Sequence, residues 1–281
     1  MASLPNELKL SDMSIPGTHD TMTSHKWTCY SVPWCGTQSR YLDDQLNDGI
    51  RFIDIRMRHY QDTLPIYHDF IYLGVYFTDV LKIVRQFLIS NPRETVILSY
   101  QTEHTPGQNT KPFMYAFEKG LDSIEARYFW LLNIVPTLGQ ARGKIIFLNF
   151  RHVGWYGITK FSYSTVENCW ANVIYCPLAC YIKDKYYEGL IRNIKNSQRI
   201  ESVEFYITYF SGNDAKKNFV YGTPRQIASR VNKKMYGYLR NNRRNGNFGV
   251  VVMDYPSTDL INTIYAKNRQ PLKKPHSPKS S

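Results

Sequence analysis

Four polar clusters interrupt apolar, strand-like runs: His19-Asp20, Asp54-x-Arg56, His68-Asp69 and Asp254. Together they hold two histidines, an arginine and several carboxylates, a complete set for phosphoryl transfer. One histidine removes a proton, the other donates one, and a guanidinium stabilises the charge that builds at phosphorus. Carboxylates beside a buried histidine or arginine fix its orientation and compensate its charge. Each cluster alone has an ordinary alternative. A histidine near a strand end is usually a satisfied polar residue, and His25, His59, His104, His152 and His276 are read that way. Asp54-x-Arg56 alone is equally compatible with a buried ion pair.

The elements that must position these groups alternate. Met13-Ser14-Ile15 runs into Pro16-Gly17-Thr18-His19-Asp20, and a helical stretch follows with Leu42, Leu46 and Ile50 at spacing four. Residues 51–58 alternate with period two. Ile53, Ile55 and Met57 take one face; Phe52, Asp54, Arg56 and Arg58 take the other. A short run from Leu64 to His68 comes next. Thr78 is the expected cap of a helix striped with Leu81, Val84 and Leu88, and Asn91-Pro92 stops it. Further strands are expected over 95–100, 144–151, 204–210 and 249–254. A helix is expected around Leu190, Ile191 and Ile194, and another starts at Thr223-Pro224 with Ile227, Val231 and Met235 on one side.

Strand and helix in alternation without a long linker predict a parallel sheet. Chemistry gathered at strand ends favours a β/α barrel, whose C-terminal rim collects side chains from several strands. An open doubly wound sheet ranks second, because no glycine-rich phosphate fingerprint follows the first strand. The stretch from Asn268 to Ser281 is basic, rich in Pro and Ser, and reads as a disordered tail.

Composition narrows the partners. The formal net charge is +12 over 281 residues, which attracts polyanions, either nucleic acid or an anionic membrane surface. No zinc-finger spacing or RNA-binding signature occurs, so nucleic acid is not favoured. Twenty-two tyrosines suit a wet groove or a membrane interface. The five cysteines, Cys29, Cys35, Cys169, Cys176 and Cys180, are odd in number and irregular in spacing, and buried free thiols are expected. Cys29 with Cys35, or Cys176 with Cys180, remain possible pairs in an exported chain. The opening MASLPNELKLSDM has no basic segment leading into an apolar core, so no signal peptide is expected. No apolar run is long enough to span a bilayer, so any membrane contact is expected to be peripheral.

Ser14-Ile15-Pro16-Gly17-Thr18-His19-Asp20, followed by Gly49-Ile50-Arg51-Phe52-Ile53-Asp54-Ile55-Arg56, resembles the opening of the catalytic X domain of bacterial-type phosphatidylinositol-specific phospholipases C. The resemblance continues in order through Tyr67-His68, residues 91–99, residues 141–146, Asp184-Lys185-Tyr186, Ser211-Gly212 and Val252-Met253-Asp254-Tyr255. It implies an α/β fold, a distorted, incomplete TIM-type (β/α) barrel forming a single domain over residues 1–267, with 268–281 as the tail. It also implies a lyase that converts phosphatidylinositol to diacylglycerol and inositol 1,2-cyclic phosphate.

By that resemblance His19 is the general base on the inositol 2-hydroxyl, and His68 is the general acid for the departing oxygen. Arg56 contacts the phosphate, with Asp54 beside it in the same motif. Asp20 pairs with the machinery around Arg56 and His68, and Asp254 orients His19. Arg151, Asp184 and Tyr186 match residues that bind the inositol ring. Bacterial relatives carry a lysine where this chain has Gln101, which bonds a hydroxyl without bringing charge. Arg56 stands where calcium-dependent relatives hold their cation, so no metal and no cofactor are expected. Trp27, Tyr30 and Trp34 crowd the segment after His19. Trp27 and Trp34 are expected at the membrane interface of a monomer acting on phosphatidylinositol in membrane surfaces. Two alternatives stay open: a catalytically idle headgroup-binding module, and a related phosphodiesterase acting on glycosylated inositol lipids.

Overall fold

The computed structural model describes residues 1–25, 32, 34–150, 156–159, 166–168, 205–212, 222–241 and 248–269. The expected helix around Leu190 lies outside these residues. Ten described strands are β1 (Ser14–Thr18), β2 (Phe52–Met57), β3 (Pro65–His68), β4 (Ile71–Tyr76), β5 (Val96–Thr102), β6 (Phe129–Trp130), β7 (Ile145–Asn149), β8 (Val166–Asn168), β9 (Ile207–Phe210) and β10 (Gly249–Met253). The helices are α1 (Leu42–Asn47), α2 (Phe77–Ser90), α3 (Phe113–Leu121), α4 (Leu138–Ala141), α5 (Pro224–Asn241) and α6 (Thr258–Ala266).

Eight strands form a parallel sheet in the order β6-β7-β5-β2-β1-β10-β9-β8. Among the described residues β6 and β8 do not pair, so the curled sheet stays open between them. The expectation of a wholly parallel sheet needs one correction. β3 pairs antiparallel with both β2 and β4, and this hairpin stands off the main path. The seven residues between β2 and β3 (58–64) are too few for a helical crossover, so the chain can only fold back on itself.

Period-two alternation sorts each strand into an inner and an outer face. Ile15, Phe52, Ile97, Ile146, Leu148, Ile207, Val250 and Val252 make one cluster, the inner core of the curl. Ile53, Ile55, Met57, Leu98, Tyr100 and Phe147 face outward onto Leu42 and Leu46 of α1, Leu81, Val84 and Leu88 of α2, and Phe117 of α3. Val251, Met253 and Phe210 face outward onto Met235 and Leu239 of α5 and Leu260 and Ile264 of α6. Each such side chain, fully buried, contributes roughly 1.5–3 kcal/mol, which is why the strands hold their register.

Local details amend the expected boundaries. α2 begins at Phe77, so Thr78 lies inside it, and the Tyr76 amide donates to Asp79 Oδ2 at 2.9 Å. Asn268, assigned by composition to the tail, accepts from the Ser14 amide at 2.8 Å and donates to its carbonyl at 2.7 Å. It thereby braces the foot of β1. Arg51 donates to Glu94 at 2.8 Å and to the Leu46 and Ile50 carbonyls at the end of α1. Cys35 corrects the free-thiol expectation: it is disulfide-bonded, to a cysteine outside the described residues.

Gly17 marks the tightest point of the inner core. A Cβ there would lie 2.9 Å from both Cβ and Cδ1 of Phe52 and 3.0 Å from its carbonyl oxygen. Two of these atoms belong to the backbone and to Cβ, which cannot swing away. Overpacking of this kind costs ~1–3 kcal/mol. Gly17→Ala is therefore expected to lower the urea midpoint by that equivalent. An unchanged midpoint would mean that β1 and β2 separate freely.

Candidate active site

The inner face turns polar toward the C-terminal ends of the strands. Phe52 is level with Ile97 and Ile146; Asp54 is level with Ser99 and Leu148; Arg56 is level with Gln101. A hydrophobic floor thus lies below a polar rim. β1 and β10 run side by side, and the His19 amide donates to the Met253 carbonyl at 3.0 Å, extending their ladder. That contact brings His19 beside Asp254. Asp20 follows with φ of 42°, the left-handed region that non-glycine residues seldom occupy. This kink sends Asp20 to the same pocket as His19, although adjacent residues normally face opposite ways.

All six residues expected to act in catalysis meet there. His19 Nδ1 lies 2.9 Å from Asp254 Oδ1, and His19 Nε2 lies 2.9 Å from Arg56 Nη2. Arg56 also reaches Asp20 Oδ1 through Nε at 2.7 Å and Asp54 Oδ2 through Nη2 at 3.2 Å. Asp20 Oδ2 stands 3.2 Å from Nε2 of His19 and 3.2 Å from Nε2 of His68. One carboxylate oxygen therefore faces both imidazoles. His68 arrives from the antiparallel hairpin, which folds inward so that its ring is buried. Its neighbour Asp69 is exposed.

The pairing settles one tautomer. A guanidinium only donates, so His19 Nε2 accepts from it, and the ring proton of neutral His19 sits on Nδ1 and is donated to Asp254. Burial, then Arg56 and His68, keep His19 neutral well below its ordinary value of 6.5. Burial pushes Asp20 up to about 7 and also raises Asp254 well above the carboxylate range. Burial, reinforced by Arg56, lowers His68 to about 4. Arg56 loses some basicity to burial but gains more from Asp20, Asp54 and Glu103, so its value is raised. The site thus combines a fixed cation, a neutral imidazole whose Nε2 accepts from that cation, and a carboxyl raised to about 7 that faces both histidines.

Several contributors were not singled out by the sequence. Glu103 Oε2 lies 3.7 Å from Arg56 Nη1, and its Oε1 accepts from the Asp69 amide at 2.9 Å. Tyr209 is buried with its ring edge-on to His19, centroids 6.0 Å apart. Both continue a period-two face, Glu103 from Gln101 and Tyr209 toward Ser211, so alternation carried a signal for them. Gln38 carried none, because it lies in a loop. Its amide donates to the His19 carbonyl at 2.8 Å and the Met253 carbonyl at 2.9 Å, clasping the two strand ends. Thr37 Oγ1 is within 3.1 Å of the His19 and Asp20 carbonyls. Thr21 accepts from the Asp54 amide at 2.8 Å.

Gln101 is buried at the rim, and its Oε1 has no hydrogen-bond partner among the described residues. Trp34 is half-buried. Trp27, Arg151, Asp184 and Tyr186 lie outside the described residues. His19, Asp20 and Asp54 offer ligand atoms within 4.8 Å of one another, the spacing of a metal site. The Arg56 guanidinium bonds all three of these side chains, so the arginine takes the position a cation would need. No described helix is long and apolar enough to cross a membrane.

Comparison with known proteins agrees with this architecture. The family profile "Phosphatidylinositol-specific phospholipase C, X domain" matches residues 13–150. The "1-phosphatidylinositol phosphodiesterase" of Listeria monocytogenes is 29% identical over 288 residues, covering 96% of this chain and 84% of that protein. The protein of the same name from Staphylococcus aureus (strain Newman) is 23% identical, covering 96% of this chain and 93% of that one. The solved structure of the phosphatidylinositol-specific phospholipase C from Listeria monocytogenes superposes with a TM-score of 0.79 at 28% identity, covering 96% of this chain and 98% of that one. A Staphylococcus aureus phospholipase structure shares the fold, with a TM-score of 0.80 at 20% identity. This distorted, incomplete β/α barrel, with its histidines, arginine and carboxylates on the strand ends, is similar to the X-domain family of phosphatidylinositol-specific phospholipases C.

Proposed function

We propose that the chain is a metal-independent phosphatidylinositol-specific phospholipase C that releases diacylglycerol and inositol 1,2-cyclic phosphate. The observation that carries this reading is the tautomer of His19. Clamped between Asp254 and a donor-only guanidinium, its Nε2 presents a lone pair toward the position where Arg56 would hold a phosphate. The Listeria relative's name and its coverage of nearly the whole chain supply the substrate class.

The steps balance without water. His19 Nε2 takes the proton of the inositol 2-hydroxyl, and that oxygen attacks phosphorus. Arg56 turns its N–H groups to the phosphoryl oxygens and stabilises the added charge. The bond from phosphorus to the diacylglycerol oxygen breaks, and that oxygen takes a proton from His68 Nε2. His19 then carries an extra proton and His68 lacks one. Asp20 Oδ2, 3.2 Å from both Nε2 atoms, provides the path that resets them. The low value of His68 is no obstacle, because a bound phosphodiester adds a negative charge that favours the imidazolium.

Gln101, with its open acceptor at the rim, would take an inositol hydroxyl, and Arg151, Asp184 and Tyr186 are proposed to complete that subsite. The neutral amide of Gln101, where bacterial relatives carry lysine, keeps glycosylated inositol lipids as a second substrate class. Trp27 and Trp34 are proposed to meet the headgroup layer, aided by the basic surface, with the chain acting as a monomer.

His19→Ala and His68→Ala are expected to fold normally and lose at least ~10²-fold in turnover of phosphatidylinositol. Near-normal turnover in either would remove that residue's role, and lipid binding without any turnover in the wild type would favour the idle-module reading. In kcat/KM against pH on a soluble substrate, the acidic limb should lie below 6.5, because His19 must be neutral. The alkaline limb should lie near 7, where the Asp20 proton leaves. Asp20→Asn should abolish that alkaline limb. Excess EDTA should leave the rate unchanged, and a loss restored by calcium would contradict the guanidinium's role. Trp34→Ala should weaken binding to neutral vesicles and spare cleavage of a short-chain soluble substrate, while added salt should weaken wild-type binding to anionic vesicles. Unimpaired vesicle binding by Trp34→Ala would make that residue structural.

A further inference from the structure

The second histidine has a neighbour that the mechanism above does not use. His68 Nδ1 lies 3.3 Å from Cys35 Sγ, and both residues are buried, Cys35 completely. Cys35 is half of a disulfide, so its sulfur has no proton to give and can only accept. The Nδ1 of His68 must therefore be the donor. Neutral His68 is then held as the Nδ1–H tautomer, with its Nε2 lone pair directed at Asp20 Oδ2. Only an added proton at Nε2, the one needed by the leaving oxygen, completes the imidazolium. The disulfide sulfur thus does for His68 what Asp254 does for His19, with a weak neutral acceptor in place of a carboxylate.

Reduction would alter this contact. With a dithiol as reductant, the disulfide takes up two electrons and two protons, giving Cys35 and its partner as thiols while the dithiol becomes a cyclic disulfide. A thiol at Cys35 can donate S–H to Nδ1, which would place the proton of neutral His68 on Nε2. A thiolate would instead pair with the imidazolium. Either state changes what His68 presents to Asp20. The same loop supplies Thr37 and Gln38, which hold the His19 carbonyl, so Cys35 anchors the segment behind both histidines.

We infer that the Cys35 disulfide is a redox-sensitive positioning group for His68: oxidised, it fixes the ring for proton donation at Nε2, and reduced, it releases that constraint. This rests on His68 being the general acid. The groups facing His68 are Asp20 and His19 at the end of β1, Asp54 and Arg56 of β2, Glu103 beyond β5, and Asp69 next in the chain. None of them bonds Nδ1, so Cys35 alone among the described residues sets its proton.

The test compares the full-length oxidised chain with the chain reduced by dithiothreitol, thiols counted by alkylation and mass spectrometry, on a soluble phosphatidylinositol substrate. Reduction should lower kcat by about 10-fold or more, the scale of losing an orienting partner, with little change in KM and with a displaced alkaline limb. Reoxidation should restore both. Nitrogen-15 shifts of His68 should report the Nδ1–H tautomer when oxidised and its loss when reduced. Cys35→Ser, whose hydroxyl both donates and accepts, should resemble the reduced chain. The inference is overturned if the reduced, folded chain keeps the oxidised kcat and pH profile. It is also overturned if the disulfide yields only when the fold is lost by near-ultraviolet circular dichroism, which would make it a staple. Should His68→Ala itself retain turnover, the underlying assignment fails instead, and the two failures are distinguishable.

Discussion

Everything in the site depends on one half-buried cation. Arg56 projects from β2 into a pocket where Asp20, Asp54 and Glu103 lie within 3.7 Å of its guanidinium, and His19 accepts from it. A buried charge is tolerable only when paired, and breaking such a pair by removing one partner leaves an uncompensated ion. Yet the pocket holds more acid than one cation can balance, since Asp254 lies on the far side of His19. Burial answers the excess by raising Asp20, Glu103 and Asp254 above their ordinary values, which disfavours their charged forms. Carboxyl groups raised by burial beside a guanidinium and two imidazoles are a setting suited to acid–base work.

The barrel makes this arrangement possible by separating floor from rim. Phe52, Ile97 and Ile146 fill the curl at one level, and Gly17 gives up its side chain so that Phe52 fits. Asp54 and Arg56 then stand one and two steps above that layer on the strand that carries Phe52. Register is what aligns them with Ser99 and Gln101 on β5, and a slip of one residue would turn the whole polar set outward. The apolar outer residues of the same strands, locked against α1, α2 and α3, prevent that slip.

Much of this was legible in the chain. Alternation over residues 51–58 separated the helix-facing Ile53, Ile55 and Met57 from the pocket-facing Phe52, Asp54 and Arg56, because period two is a property of extended backbone and needs no tertiary information. The helix stripes at Leu81, Val84 and Leu88 were legible for the same reason. The antiparallel hairpin was not, since Ile71–Tyr76 has no strict alternation and includes Gly74. Nor was the role of Gln38, which follows from where two strand ends meet. The left-handed backbone at Asp20 escaped too, and without it the pairing of adjacent His19 and Asp20 in one pocket contradicts simple alternation.

The two histidines are held in two different surroundings. His19 continues a parallel strand, so its ring is gripped at Nδ1 by Asp254 from the neighbouring strand and at Nε2 by Arg56. In the proposed mechanism this ring takes up a proton only when a substrate draws Arg56 toward its phosphate. His68 comes from outside the parallel sheet on a hairpin that folds in over the rim, and behind it lies a neutral sulfur. With no charge at Nδ1, nothing behind the ring stabilises its imidazolium. Under the proposed roles, strong support behind the proton acceptor and weak support behind the proton donor follow from which strands carry them. The asymmetry of the fold, one ring on the sheet and one on the hairpin, is therefore also the asymmetry of the chemistry.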